Sequence, residues 1–426
     1  MEVGEKNIFI KYKTRLEKNL LSSVSLLLLI CQIFCAAPVN IDFYTKRVAQ
    51  VKSFAQFGGF YGFLKFFIHS IWSFTVLGCI ITSTYYQNME FDHDMEVIQK
   101  ALYMGEYVFG TINVIIIILG CQWQRSQYGY HLKCIVDLTM RLQRFGFTPR
   151  FEETKIFFRR WLLIFGVFFL IVGFIDLLYN QLVAKSFFRS STVYTIPNVI
   201  SCMAILQLVG ILFIHRSMLR HINDHLMDLD GISPVTPSSV IFVQEAIETI
   251  ESLRKVHRDL ARTAEMAIRN FSILILTTLT ACFLILSIQL FALYQMFENY
   301  ARTNFFLLTY TVLWIFLHGG KIVMIVYFSC SFTREKHRTG QVLYHMEIRR
   351  QFQSDSLQNT VSKFSMQIIH EPKNLSACGI IDLDLSLLNT IVGSLTTYLV
   401  ILIQFDVSAR QMKNCNVAEK NEKVSS

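Results

Sequence analysis

The sequence predicts an all-α membrane protein. It has seven transmembrane helices, a cytoplasmic N-terminus and an extracellular C-terminus, with an additional N-terminal helix that is re-entrant or interfacial. Two observations carry this. The chain is 53% apolar and 14% aromatic over 426 residues, and apolar runs of about 20 residues, long enough to cross about 30 Å of hydrocarbon, recur from end to end. The second observation is that Lys and Arg gather in connections that all fall on one side of those runs. A soluble chain of this length would instead form two or three domains with polar connecting surface.

The expected spans are residues 60–84, 104–122, 161–182, 194–214, 271–293, 304–328 and 383–405. Between the first two, "NMEFDHDMEV" carries Glu90, Asp92, Asp94 and Glu96 with little positive charge. Between the second and third stand Arg125, Lys133, Arg141, Arg144, Arg150, Lys155, Arg159 and Arg160. The long connection after the fourth adds Arg216, Arg220, Arg254, Lys255, Arg258, Arg262 and Arg269, and Arg334, Lys336, Arg338, Arg349 and Arg350 follow the sixth. All three basic connections are cytoplasmic if 60–84 enters the membrane from inside. The net charge of +9 is thereby explained without a nucleic-acid partner.

The same rule decides the apolar stretch at 19–39. Its basic start and its small residues Cys35, Ala36 and Ala37 imitate a cleavable signal peptide. Lys6, Lys11, Lys13, Arg15 and Lys18 flank it on one side and Lys46, Arg47 and Lys52 on the other. Both flanks stay inside only if the segment does not cross, which leaves a re-entrant or interfacial helix within a cytoplasmic 1–59. Residues 60–328 then hold spans one to six, 329–382 a cytoplasmic anchor segment, 383–405 the last span and 406–426 an extracellular tail.

Outer connections are short apart from 85–103, and inner ones are long, about 123–160, 215–270 and 329–382. In the second of these, Val243, Ala246, Ile247, Ile250, Leu253, Val256 and Leu260 recur at helical spacing among Glu and Arg. The stripe must be buried at the inner face of the membrane, against its own subunit or in a shared helical assembly. "DLDGISPVTPSS" at 228–239, with Pro234 and Pro237, reads as a turn before it. The ten Cys form no CxxC pair and read as small buried hydrophobes. "VHRDLARTA" at 256–264 imitates a kinase catalytic loop, but Ala264 stands where that loop needs Asn. Without Walker, HExxH or GxSxG motifs, no enzyme, cofactor or metal site is expected.

In the last span, Thr390, Thr397 and Gln404 are seven residues apart, so they share one face to within about 20° per step. Ile401 lies on that stripe, and Ser394 and Ser386 extend it toward the cytoplasm, while Leu387, Ile391, Leu395 and Leu402 form an apolar back. Polar groups in a span face the bundle or a water path. Thr and Ser can also bond to their own helix or to a neighbouring one. Gln404, able to make four hydrogen bonds, fits that second account less well.

Here the residues carry a resemblance. Thr397-Tyr398, five apolar residues, then Gln404-Phe405 resembles the signature in the last span of insect gustatory receptors. The seven spans, inverted topology, long inner connections and N-terminal apolar segment extend the similarity over nearly the whole chain. The resemblance implies a tastant-gated, non-selective cation channel in the plasma membrane of gustatory neurons. It would be a homo- or heterotetramer whose last helices share one pore, with cytoplasmic helix ends as a common anchor. Thr390, Ser394, Thr397, Ile401, Gln404 and Phe405 would then form the pore lining and gate, with Ile401 as the hydrophobic constriction. Asp406 would ring the outer mouth, and Asp382 and Asp384 the inner one. Tyr398 faces away from the stripe, toward a neighbouring span.

The resemblance places the small-molecule pocket in the outer halves of the other spans. Glu106, Tyr107, Asp176, Tyr179, Tyr310 and Trp314 are the candidates, alongside Tyr103, Asn180, Tyr194 and Gln289. Lys321 lies nearer the inner interface, where it is expected to snorkel. Leu399, standing where sugar-sensing members often carry an acid, tilts the expectation toward bitter and contact-cue ligands. The competing readings are a G-protein-coupled chemoreceptor, which has the opposite topology, and a secondary transporter, which would show internal repeats.

Overall fold

The computed structural model describes residues 2–37, 41–42, 47–48, 59–89, 97–149, 151–183, 186–231, 240–298, 305–349 and 355–425. The prolines of the expected turn at 228–239, the acidic outer loop at 90–96 and the side chain of Tyr103 lie outside them. The elements are α1 (Glu2–Ile33), β1 (Ile41–Asp42), β2 (Arg47–Val48), α2 (Gly59–Met89), α3 (Val97–Trp123), α4 (Arg125–Gln143), α5 (Phe151–Val183) and α6 (Phe187–Ser190). A π-helical turn, Ser191–Thr195, leads into α7 (Ile196–Gly231), followed by α8 (Val240–Glu298), α9 (Phe305–Arg349), α10 (Asp355–His370), β3 (Ser376–Ala377), β4 (Ile381–Asp382) and α11 (Leu385–Ser425). Eight of the described helices are long and apolar enough to cross a membrane: the seven expected spans and the second half of α1.

Helix α7 is the axis of the bundle, packed by α3, α5, α8 and α9. Its run from Ile200 to Leu212 is buried on every side, as a helix apolar all round requires. One close approach depends on a glycine. A Cβ at Gly210 would stand 2.2 Å from the Phe158 ring of α5, and Phe157 beside it stacks on Phe213 of α7 at 4.3 Å. Beyond this contact one side of α5 faces outward, exposing Leu163, Leu170, Phe174 and Leu182, the pattern of a lipid-facing surface, while Val172, Asp176 and Asn180 stay buried.

The N-terminal segment packs into this bundle rather than lying beside it. Leu20, Leu21, Val24, Leu27, Leu28 and Cys31 are buried against α4, α5 and α7. The base of the helix is tied to α4 by Lys13 and Asp137 at 2.6 Å. Its tip ends at Cys35, which adopts a left-handed φ of 57°, and Ala36 N–H closes back on Cys31 O at 2.7 Å. A helix that stops among other helices must find donors for its last carbonyls. Trp72 donates to Ile33 O at 2.8 Å, His69 pairs with Gln32 O at 3.2 Å, and Gln207 donates to Ala36 O at 2.8 Å.

The amphipathic stripe at 243–260 and the span at 271–293 are one continuous helix, α8, of 59 residues and about 88 Å at 1.5 Å per residue. It therefore projects far beyond a bilayer. Ala246, Ile250, Leu253, Val256 and Leu260 are buried against α4, α9 and α10, so the stripe is covered within its own subunit. Polar ties reinforce the packing: Arg254 to Gln367 at 3.2 Å, Arg141 to Asp259 at 2.8 Å, and Thr339 to Asn223 at 2.6 Å. The β3–β4 hairpin then redirects the chain, with Cys378 (φ 54°) and Gly379 (φ 69°) both left-handed in its turn.

Candidate functional site

Two polar stripes matter, one on α11 and one on α9. Helix α11 starts at an N-cap: Asp384 accepts from Ser386 N at 2.9 Å, Ser386 Oγ at 2.5 Å and Leu387 N at 3.3 Å. Asn374 adds a fourth bond at 3.1 Å. Beyond the cap the helix does not end at Phe405 but runs on through the stretch expected to be a tail. Its Leu388, Ile391, Leu395, Leu399, Leu402 and Ile403 are half-buried on the side of α8 and α9. Thr390, Ser394, Thr397, Ile401 and Gln404 are all exposed, as are Ser386 and Phe405. Thr390 and Thr397 satisfy their hydroxyls on Ser386 O and Gly393 O, one turn back. Tyr398 meets Phe283 of α8 edge-on at 6.4 Å.

The acidic residues expected at the pore mouths are placed differently from that stripe. Asp406 is 2% exposed and faces α8, accepting from Gln295 at 3.1 Å. It pairs with Arg410 at 2.7 Å, and Arg410 holds Glu298 of α8 at 2.7 Å. Two positions past Gln404 is about 200° around a helix, which puts Asp406 on the packed back. Asp384 is engaged as the cap. Asp382 is exposed in β4, opposite Ser376.

The second stripe belongs to α9. Tyr310, Trp314, His318 and Lys321 succeed one another on its inner face, the last three buried. Ring centroids are 5.6 Å apart between Tyr310 and Trp314 and 5.9 Å between Trp314 and His318. Opposite them, Glu106 of α3 is buried and accepts from Gln289 of α8 at 2.8 Å. Tyr107 meets Tyr194 edge-on at 6.4 Å. Asp176 of α5 is 3% exposed, and its Oδ1 accepts from Asn180 at 2.8 Å and Ser190 at 2.7 Å. Tyr179 is half-buried and joins none of these bonds.

Lys321 does not reach for the inner interface. It is buried and donates to Asn198 Oδ1 of α7 at 2.5 Å. Glu106, Tyr107, Tyr194, Asn198, His318 and Lys321 line a narrow cavity of about 20 Å³, room for one water molecule. Among the described residues, Asp176 Oδ2, His318 Nδ1 and Ser201 Oγ are buried here without a hydrogen-bond partner. Such groups cost free energy unless something pairs with them. Asn198, Ser201 and His318 were not among the sequence-based candidates, although His318 falls one turn after Trp314.

A family model described as 7tm chemosensory receptor matches residues 18–408. The chain belongs to this family. Gustatory receptor 59f of Drosophila melanogaster is 26% identical over 80% of this chain and 80% of its own length. The same organism's gustatory receptor for bitter taste 66a is 28% identical over 39% of the chain and 32% of its own length. Its gustatory receptor for sugar taste 43a is 30% identical over 37% and 36%, so neither taste branch is favoured. The insect olfactory receptor OR5 of Machilis hrabei, solved in complex with eugenol, superposes with a TM-score of 0.65 at 10% identity, covering 91% of this chain and all of that one. The chain is therefore an insect gustatory receptor by family, a multi-pass membrane protein on the fold of the insect olfactory receptors, and its family is one of receptors, not enzymes.

Proposed function

We propose that this gustatory receptor is a tastant-gated, non-selective cation channel of the plasma membrane, assembled as a homo- or heterotetramer around a pore lined by α11. The observation that carries the reading is the asymmetry of α11. Its apolar back packs on α8 and α9, while Thr390, Ser394, Thr397, Ile401 and Gln404 face away from the subunit's own bundle. In hydrocarbon, Gln404 would leave its amide unsatisfied. Copies of the same face around a shared axis give it water.

In this reading the Ile401 ring is the gate: apolar side chains exclude water from a narrow pore, and a few ångströms of widening re-wets it. The small molecule binds between α3, α5, α7, α8 and α9, where the cavity is contracted in this state and must expand to admit it. Residues 1–59 stay cytoplasmic with α1 re-entrant, its tip capped by Trp72, His69 and Gln207. The cytoplasmic ends of α8 to α10 are the anchor between subunits. Whole-cell recording tests the assignment. Ile401→Ala is expected to raise basal current several-fold, and Gln404→Glu to shift the relative permeability of divalent over monovalent cations. Unchanged conduction and selectivity in both would remove α11 from the pore.

A further inference from the structure

The packed back of α11 carries a charged contact to α8 at its outer end. Asp406 is 2% exposed, and a carboxylate buried this far is costly unless it is paired. It accepts from Gln295 of α8 at 3.1 Å and pairs at 2.7 Å with Arg410, one turn further along α11. Arg410 reaches across to Glu298 of α8 at 2.7 Å. Two residues of each helix are thereby bound into one network. Helix α8 is also a wall of the narrow cavity: Ala281, Cys282 and Ile285 line it, and Gln289 holds Glu106 of α3 at 2.8 Å. Gln295 stands six residues beyond Gln289 on the same unbroken helix, about 9 Å along its axis.

We infer that Asp406, Arg410, Gln295 and Glu298 form a clamp that holds the outer end of α11 in its resting position, and through which α8 passes ligand binding to the pore. They are positioning residues and touch neither ligand nor permeating ion. This rests on the reading of α11 as the pore helix. Gln404 and Asp406 occupy the same turn on faces about 200° apart. Any displacement of the polar stripe from a shared axis therefore moves the clamped back of that turn against α8. Ion pairs of 2.7 Å do not survive a shift of a few ångströms, so the clamp belongs to the contracted, closed arrangement. A contact present in one state alone biases the equilibrium by its full strength. A molecule that enters between α3 and α8 displaces the helix that carries Gln295 and Glu298, and so pulls on the clamp.

Ligand-independent whole-cell current of the full-length receptor, divided by its surface density from biotinylation, tests this. Arg410→Gln breaks both arms and should raise current per receptor about tenfold or more, the yield of one buried charge-assisted hydrogen bond lost from the closed state. Arg410→Lys keeps the charge and should stay close to the unsubstituted receptor. Asp406→Asn should raise current as Arg410→Gln does, and the two combined should raise it no further, because they break one contact. Glu298→Gln acts on a more exposed arm, 40% accessible, and should give about a twofold rise. The inference is overturned if Arg410→Gln and Asp406→Asn conduct like the unsubstituted receptor, if Arg410→Lys leaks as much as Arg410→Gln, or if the two effects add. Where neither variant reaches the surface, Glu298→Gln decides, and unchanged current in it overturns the inference. Ile401→Ala is recorded beside them: if it conducts while the clamp variants stay silent, only the clamp fails, and if it too is silent, the pore reading fails.

Discussion

The stripe on α11 and the stripe on α9 look alike in sequence, since both are polar residues at helical spacing inside an apolar span. The structure treats them oppositely. On α11 the polar face is open and its threonines are satisfied by their own helix, while the apolar back makes the contacts. On α9 the polar face turns into the bundle and keeps His318 Nδ1 buried without a partner. Polarity alone therefore does not say where a stripe points. What distinguishes them is the packing around each helix: α11 touches its own subunit along α8 and α9, whereas α9 is packed by α7, α8 and α10. In the proposed channel, one stripe would meet water shared between subunits and the other a molecule held within one subunit.

That contrast can be broken by substitution, beginning where packing is tightest. Gly210→Ala drives a Cβ into Phe158 and should destabilise the bundle by about 1–3 kcal/mol or more, read as lost surface expression and a lower unfolding midpoint. On α11 the effect should depend on the face. Asp406→Asn breaks the charge pair with Arg410 on the packed back and should cost about 1–3 kcal/mol. Thr397→Ala on the open face should stay within about 0.5 kcal/mol. Equal effects would mean that the two faces are not distinguished as described. Asp384→Ala removes the cap of α11 and should cost about 1 kcal/mol, between those two, with little change in ligand affinity.

Much of this was legible in the sequence. Heptad spacing puts Thr390, Thr397 and Gln404 on one face, and all three are exposed; the apolar stretch at 19–39 is legible as a helix, most of which the structure forms. The positions that moved are those where periodicity was not carried through. The same 100° per residue that grouped Thr397 with Gln404 puts Asp406 on the opposite side. It also puts Lys321 seven residues after Trp314, on the inner stripe of α9 rather than at the interface. Asp384, directly ahead of an apolar helix, carries the signature of an N-cap. Asn198 and Ser201 were not foreseeable in this way, because only the crossing of α7 and α9 brings them to Lys321 and His318.

The central claim is that the open stripe of α11 borders water behind a gate at Ile401. A membrane-impermeant, charged thiosulfonate applied to intact cells tests it, with labelling measured against the unsubstituted receptor. Gln404→Cys, outside the constriction, should react readily, and Leu402→Cys, on the packed back, should not. Thr397→Cys should be protected when Ile401 is present and should become reactive when Ile401→Ala is combined with it. A Thr397→Cys that stays unreactive in both backgrounds, together with an unreactive Gln404→Cys, would place the stripe in lipid and contradict the account.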